Sequence, residues 1–176
     1  MLMKKIKNKS PINGQLISTH NSATAEEIKT AYQQSQTAFA DWKDTSIQER
    51  SKYLKQIRQV ISNNLDEIIT TIVEDTGKAE VEALTTDILV SLDLIKYYEK
   101  NAEEILATEK RSSPQLWLRN RSYISYNPYG VVAIIAPWNF PLQLALIPTI
   151  SAIIAGNTVL LKPSEVTPQV GSFLQD

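Results

Sequence analysis

Between Arg121 and Lys162 the chain contains no Asp, Glu, Lys, Arg or His, although 21% of its residues overall are charged. Such a stretch belongs either in a bilayer or in a fold that largely excludes water from it. Pro137, Asn139, Pro141, Gln143 and Pro148 interrupt the run. No continuous helix of spanning length survives between them, which disfavours a membrane hairpin. The remaining polar intrusions are confined to two places. Trp138 and Asn139 are held between Pro137 and Pro141, and Lys162 and Glu165 stand at the far end. A buried frame with a few polar groups at its rims is the pattern of a ligand site.

Within the frame, Val131–Ala136 is a short β-branched run that suits a buried parallel strand. Pro141 suits the first turn of a helix, with Asn139 or Phe140 preceding it. Leu142–Ala155 follows as an apolar helix that Gly156 stops, and Pro148 predicts a kink within it. Thr158–Leu161 is a second β-rich run. Strand, helix and strand make a right-handed βαβ crossover in a largely parallel sheet. The loop after the first strand and Lys162–Glu165 after the second then leave the carboxyl ends of neighbouring strands. Open α/β sheets bind their ligands at that side.

The N-terminal half reads as a helical layer. Thr24 with Glu27 and Ser46 with Glu49 are capping-box patterns. Ile28, Ala31, Tyr32, Ser35, Ala38, Phe39 and Trp42 follow the first on one face; Tyr53, Leu54, Ile57, Val60 and Ile61 follow the second. Asn64 with Glu67 opens a third helix that Gly77 closes. A long fourth runs through roughly Val81–Ala107 with Leu84, Ile88, Leu92, Ile95 and Tyr98 inward. The charges of this layer are expected on solvated faces. Ser112–Pro114 breaks into a strand-like segment, Leu116–Tyr126, in which Trp117, Arg119, Arg121 and Tyr123 alternate with Leu118, Asn120 and Ser122. That alternation suits an exposed edge strand. The fold class is α/β: an N-terminal helical layer plus part of a Rossmann-like parallel sheet.

These blocks carry a family resemblance. GVVAIIAPWNFPL, AGNTVLLKPSE and TP, in order within Pro128–Pro168, resemble the N-terminal part of the NAD(P)-dependent aldehyde dehydrogenase superfamily. Ala38–Trp42 and the EDTGKAEVEA run at Glu74–Ala83 agree in the same order. The resemblance covers almost the whole chain and implies an incomplete aldehyde dehydrogenase fold: residues 1–176 as a partial cofactor-binding domain, with the catalytic domain absent. It implies oxidation of an aldehyde to a carboxylic acid. In this family a cysteine thiolate attacks the aldehyde, hydride passes to the nicotinamide, and a glutamate-activated water releases the acid.

Residue by residue, Asn139 matches the family's oxyanion residue, a donor whose removal costs about 3 kcal/mol of transition-state stabilisation. On its residue type alone Asn139 reads first as a helix N-cap, worth about 1 kcal/mol; the resemblance favours the oxyanion role. Lys162 and Glu165 match the contacts to the adenosine ribose. A carboxylate there repels a 2′-phosphate, so NAD is favoured and NADP left open. Ala136, Pro137 and Trp138 match backbone that runs past the cofactor, and Pro163 and Ser164 lie within the matched K-x-x-E turn. Phe140, Gln143, Leu144 and Ile147 match the substrate channel; their spacing equally describes a core stripe, which is the default on the residues alone. A strand at about 116–127 resembles part of the oligomerisation arm, so the resemblance implies a homo-oligomer at full length, with an ordinary edge strand as the alternative.

Composition bounds the rest. The chain has no cysteine, so the family's nucleophile is missing and this chain alone is expected to be inactive. The sequence is read as the first portion of a longer enzyme, or as a truncated, non-catalytic relative acting as a binding or oligomerising module. A net charge of −1 argues against a nucleic-acid footprint. Met1–Lys9 is basic but is followed by no apolar h-region, and Asn8 and Asn120 fit the glycosylation pattern by chance. His20 stands alone, so no metal site is expected. The expectation is a cytoplasmic protein, with no membrane partner and an aldehyde of unspecified structure as substrate.

Overall fold

The computed structural model describes residues 5–112 and 120–175. It begins with an antiparallel hairpin that hydrophobic periodicity does not mark, β1 (Lys5–Lys9) and β2 (Leu16–Asn21). Its signal was available in Asn13-Gly14, a turn dipeptide. Along β1 the lysines point outward, while Ile6 and Asn8 turn towards the protein.

The helical layer follows much as the caps predict. Helix α1 (Ala25–Trp42) starts at a complete capping box, in which Thr24 Oγ1 accepts from Glu27 N and the Glu27 carboxylate accepts from Thr24 N. Helix α2 (Ile47–Asn63) starts at Ser46, whose Oγ accepts from Glu49 N at 3.1 Å. Helix α3 (Leu65–Thr76) ends at Gly77 in the left-handed conformation. Its expected cap fails, because the Asn64 side chain donates back to Val60 O in the preceding helix. The long fourth helix is three pieces: α4 (Glu80–Glu82), a π-helical segment (Ala83–Ile88) and α5 (Leu89–Ile105). Ile88 and Ile95 are fully buried, with Leu84, Leu92 and Tyr98 packed against the core. On α1 only Ala31, Ser35, Phe39 and Trp42 of the expected stripe are half-buried; Ile28, Tyr32 and Ala38 stay exposed.

Strands β3 (Glu109–Arg111) and β4 (Ser122–Ile124) pair antiparallel. Of the strand expected over 116–127, Ser122–Ile124 is strand among the described residues, exposed at every position. Trp117, Arg119 and the rest of 113–119 lie outside the described residues.

The uncharged stretch then forms β5 (Val131–Ile135), α6 (Gln143–Ile154) and β6 (Thr158–Lys162), with β5 and β6 parallel. A short helix, α7 (Pro168–Phe173), follows. The core runs through α2, α3, the π segment and α5 to Leu142, Leu146, Ile150 and Ile154, which repeat every fourth residue along α6. Helix α6 runs on through Pro148. Exclusion of water holds for the buried face of α6 and fails at the sheet. Ile135 is 78% exposed and Tyr129 99%. The reason is geometric: among the described residues this sheet has two strands, too few to cover its own faces and ends.

Asn157 locks the crossover. Its Oδ1 accepts from Tyr129 N (2.6 Å) and Gly130 N (3.1 Å), while Nδ2 donates to Ala152 O (3.1 Å). Gly156 and Asn157 close the helix with paired bonds to Ile153 O and Ala152 O, a Schellman stop. Gly156 has φ 89°, and a Cβ there would lie 2.5 Å from Arg50 Nη1, so a larger residue would be strained and would have to displace the Arg50 guanidinium.

The expectation of solvated charges is corrected at Arg50, Asp75 and Asp87, all of which are buried. Arg50 Nη1 donates to Ile154 O (2.9 Å) and Nη2 to Thr45 O (3.0 Å); burial lowers its pKa, and the negative end of α6 favours the cation. Asp75 accepts from Asn8 Nδ2 (2.6 Å) and Val170 N (3.0 Å), joining β1, α3 and α7. Burial pushes its carboxyl above the ordinary range, against the opposing pull of those bonds.

Two outcomes follow. Asn157→Ala leaves the buried Gly130 N–H and the partly buried Tyr129 N–H without their acceptor, and urea unfolding should show a loss of about 1–3 kcal/mol. For Asp75 the folded protein holds the proton more tightly than the unfolded chain, so its contribution to stability falls as pH rises from the ordinary carboxylate range through its raised native value. Unfolding free energies of wild type and Asp75→Asn, measured across that range, should therefore diverge with wild type losing ground as pH climbs; parallel profiles would contradict the shift.

Candidate functional site

The parallel register pairs Ile135 with Lys162, and Ala136 N donates to Lys162 O at 3.0 Å. The loop 136–142 and the turn 162–167 therefore begin side by side at the carboxyl end of the sheet. Ala136 is buried where the sheet ends; Pro137, Trp138 and Asn139 project into solvent; Phe140 is half-buried; Pro141 and Leu142 are buried again. Chain entry and exit are both anchored, and three residues between them stand out.

Asn139 is not the N-cap of α6. The residue before the helix is Leu142, in the α conformation and without a side-chain cap. The helix start is served from another element: Asp87 Oδ1 accepts from Gln143 N at 3.3 Å. Asn139 thus keeps an exposed amide that the helix does not use. The same carboxylate pairs through Oδ2 with Lys78 Nζ at 2.9 Å, and that ammonium lies 4.1 Å from the centre of the Phe140 ring. Neither Lys78 nor Asp87 stood out in the sequence as a site residue. Their only signal was position, Lys78 directly after the Gly77 helix stop and Asp87 on the apolar side of the next helix, three residues after Leu84.

Phe140, Gln143, Leu144 and Ile147 are all half-buried. The core reading that their spacing made the default is corrected here, because the core stripe of α6 is the neighbouring one, Leu142, Leu146, Ile150 and Ile154. One helix face is buried and the adjacent one is left partly open.

In the second loop Lys162 and Glu165 pair with each other, and both side chains are more than half exposed. The backbone between them is tightly held. Ser164 is buried, its Oγ accepting from Val166 N at 3.2 Å and its carbonyl from Thr167 N at 3.3 Å. Pro163 packs on Gly171 of α7 so closely that a Cβ there would be 2.6 Å from Pro163 Cγ. Among the described residues no three His, Cys, Asp or Glu side chains gather as a metal site, and no helix is long and apolar enough to cross a membrane.

The sheet end thus sets the exposed Asn139 amide on one loop beside an exposed Lys162–Glu165 pair on the next, on the side where open α/β sheets bind their ligands. The aldehyde dehydrogenase family model matches residues 2–176, and the chain belongs to that family. It is 38% identical over 168 residues to the 4,4'-diapolycopene aldehyde oxidase of a Methylomonas species, covering 95% of this chain and 32% of the relative. The substrate-bound AldH of Staphylococcus aureus superposes with a TM-score of 0.79 at 36% identity, over 84% of this chain and 32% of that one. The Mycobacterium tuberculosis aldehyde dehydrogenase complexed with NAD+ gives a TM-score of 0.87 at 26% identity, over 97% of this chain and 35% of that one. The chain thus spans about a third of the length of these relatives, and its fold is an incomplete aldehyde dehydrogenase fold.

Proposed function

We propose that this chain is the part of an NAD(P)-dependent aldehyde dehydrogenase that seats the cofactor and meets the substrate oxygen, in an enzyme that oxidises an aldehyde to a carboxylic acid. The observation that carries this reading is the pairing of Ile135 with Lys162, which starts the Asn139 loop and the Lys162–Glu165 turn next to one another. Asn139 Nδ2 donates to the aldehyde oxygen as negative charge develops on it, a fixed donor worth about 3 kcal/mol in such a position. Phe140, Leu144 and Ile147, with Gln143 as the one polar member, flank the path of the aldehyde.

On the other loop, Lys162 and Glu165 take the ribose hydroxyls of the cofactor. The two groups fit this role because their mutual ion pair is exposed, and giving it up costs little. Glu165 disfavours a 2′-phosphate, so NAD is the preferred form. Ala136, Pro137 and Trp138 on one side and Pro163 and Ser164 on the other supply the backbone against which the cofactor lies. Nicotinamide, when bound, supplies the hydride acceptor. A thiolate nucleophile has to come from outside these 176 residues, since they contain no cysteine; the chain by itself is read as inactive. The whole enzyme is read as a cytoplasmic homo-oligomer in which the strand at about 116–127 is part of the arm that reaches a second subunit.

Titration of the chain with NAD and NADP, followed by saturation-transfer NMR, tests the reading. NAD should bind, Lys162→Ala and Glu165→Ala should each weaken it by roughly tenfold, and Glu165→Gln should raise affinity for NADP relative to NAD. Absence of NAD binding at millimolar concentration would sink it. Mixing the chain with NAD and an aliphatic aldehyde should give no NADH, and turnover would overturn the requirement for an external thiolate. Sequencing the reading frame beyond the Asp176 codon separates the enzyme from a non-catalytic binding module: the enzyme requires a cysteine downstream.

A further inference from the structure

We infer that Lys78 and Asp87 are positioning residues that clamp the Trp138–Phe140 loop and so fix the Asn139 amide. The clamp has two points. Lys78 Nζ stands over the Phe140 ring at 4.1 Å, immediately after Asn139, and Asp87 Oδ1 takes the Gln143 N–H at 3.3 Å, where the loop becomes α6. The two points are joined by the Lys78–Asp87 ion pair at 2.9 Å. A single buried charged unit thus holds both the ring that follows Asn139 and the helix turn that ends the loop.

Burial argues for a specific purpose. Asp87 is wholly buried and the Lys78 side chain is 12% exposed; an apolar pair of similar volume is often as stable as a buried ion pair or more so. What an apolar pair lacks is direction. A carboxylate at a helix start bonds a particular N–H, and an ammonium on a ring face fixes that ring. The pair also balances charge. Asp87 alone would leave a full negative charge beside the loop that is to stabilise a developing oxyanion, and Lys78 cancels it. Asp87 lies in the π-helical segment Ala83–Ile88, whose wider turn re-aims side chains relative to a regular helix. Ser91 Oγ donates to Asp87 O at 2.6 Å, tying that backbone down. None of this is shared with the exposed charges of α4 and α5.

This inference rests on the proposed role of Asn139 for its meaning, but its test needs neither aldehyde nor cofactor. Backbone 15N relaxation on the labelled chain measures the order of Trp138, Asn139 and Phe140 directly. Wild type should show rigid values of about 0.85 there, and the Lys78→Met/Asp87→Asn double variant, which removes the ion pair without stranding a buried charge, should fall below about 0.6. Leu54 and Ile95 in α2 and α5 should not change. Lys78→Met alone should loosen the same three residues, and Lys78→Arg, which keeps a cation over the ring, should restore them. Unchanged loop order in the double variant overturns the clamp, as does a wild-type loop that is already mobile. Loss of the dispersed spectrum in both Met-containing variants overturns it too, by making the pair a general core element. A rigid wild-type loop in a chain that fails to bind NAD would instead sink the functional reading and leave the clamp standing.

Discussion

Satisfying the two ends of α6 is the demand on which the rest of this structure depends. The helix is apolar along most of its length, with Gln143, Thr149 and Ser151 as its only side-chain hydrogen-bonding groups, and it passes through the core, where water cannot serve its free backbone groups. Different elements therefore have to reach it. Asp87 serves Gln143 N at the start. At the finish Trp42 Nε1 donates to Ile153 O (3.1 Å), Arg50 Nη1 to Ile154 O and Asn157 to Ala152 O. Burial of apolar surface is non-directional. It brings α2, α5 and the π segment against α6, and these bonds, with Trp42 reaching in from α1, decide where along it the helical layer stops. The signs agree with the helix dipole, a carboxylate at the N-terminus and a guanidinium at the C-terminus.

The same device recurs at α7. Asp75 accepts from Val170 N in its first turn, as Asp87 does from Gln143 N in α6. Each helix follows one of the two loops at the carboxyl end of the sheet, and each is held at its start by a buried carboxylate from the helical layer. The layer does more than cover the core: it sets the trajectory on which each loop leaves the sheet. That explains why charges are buried in a domain where desolvation makes them costly. Arg58 and Glu99, whose bidentate contact at 2.6 and 3.1 Å joins α2 to α5, show the contrast. They bridge two helices near the surface and aim at no backbone end.

Local signals made the frame legible. Thr24 with Glu27, Ser46, Gly77 and Gly156 mark helix ends within a residue or so, because caps and left-handed stops are fixed by backbone geometry a few residues away. The β-branched runs and the proline-bounded loop gave β5, α6 and β6 in parallel order. What was illegible depends on distant partners. Asn64 carries a capping pattern, yet Val60 O competes for its amide. Asp75, Asp87 and Arg50 look like any helix-surface charges until tertiary packing brings a backbone end to them. The half-open stripe Phe140, Gln143, Leu144 and Ile147 was ambiguous for the same reason: spacing shows that four residues share a face, and only the neighbours of α6 decide which face is buried.

The two sheet-end loops are held by different physics, and the difference suits what each is proposed to do. A group that stabilises a transient charge has to be in place beforehand, because any reorganisation at that moment is subtracted from its effect. Asn139 sits beside a directional, buried charged pair. The Lys162–Glu165 turn is held by packing, with Pro163 against Gly171 and Ser164 folded into its own turn, while its charged tips pair with each other at the surface. Its backbone is fixed and its side-chain ends are exchangeable. A ribose entering there can replace one exposed partner with another without moving the chain, which is what reversible capture and release of a cofactor requires.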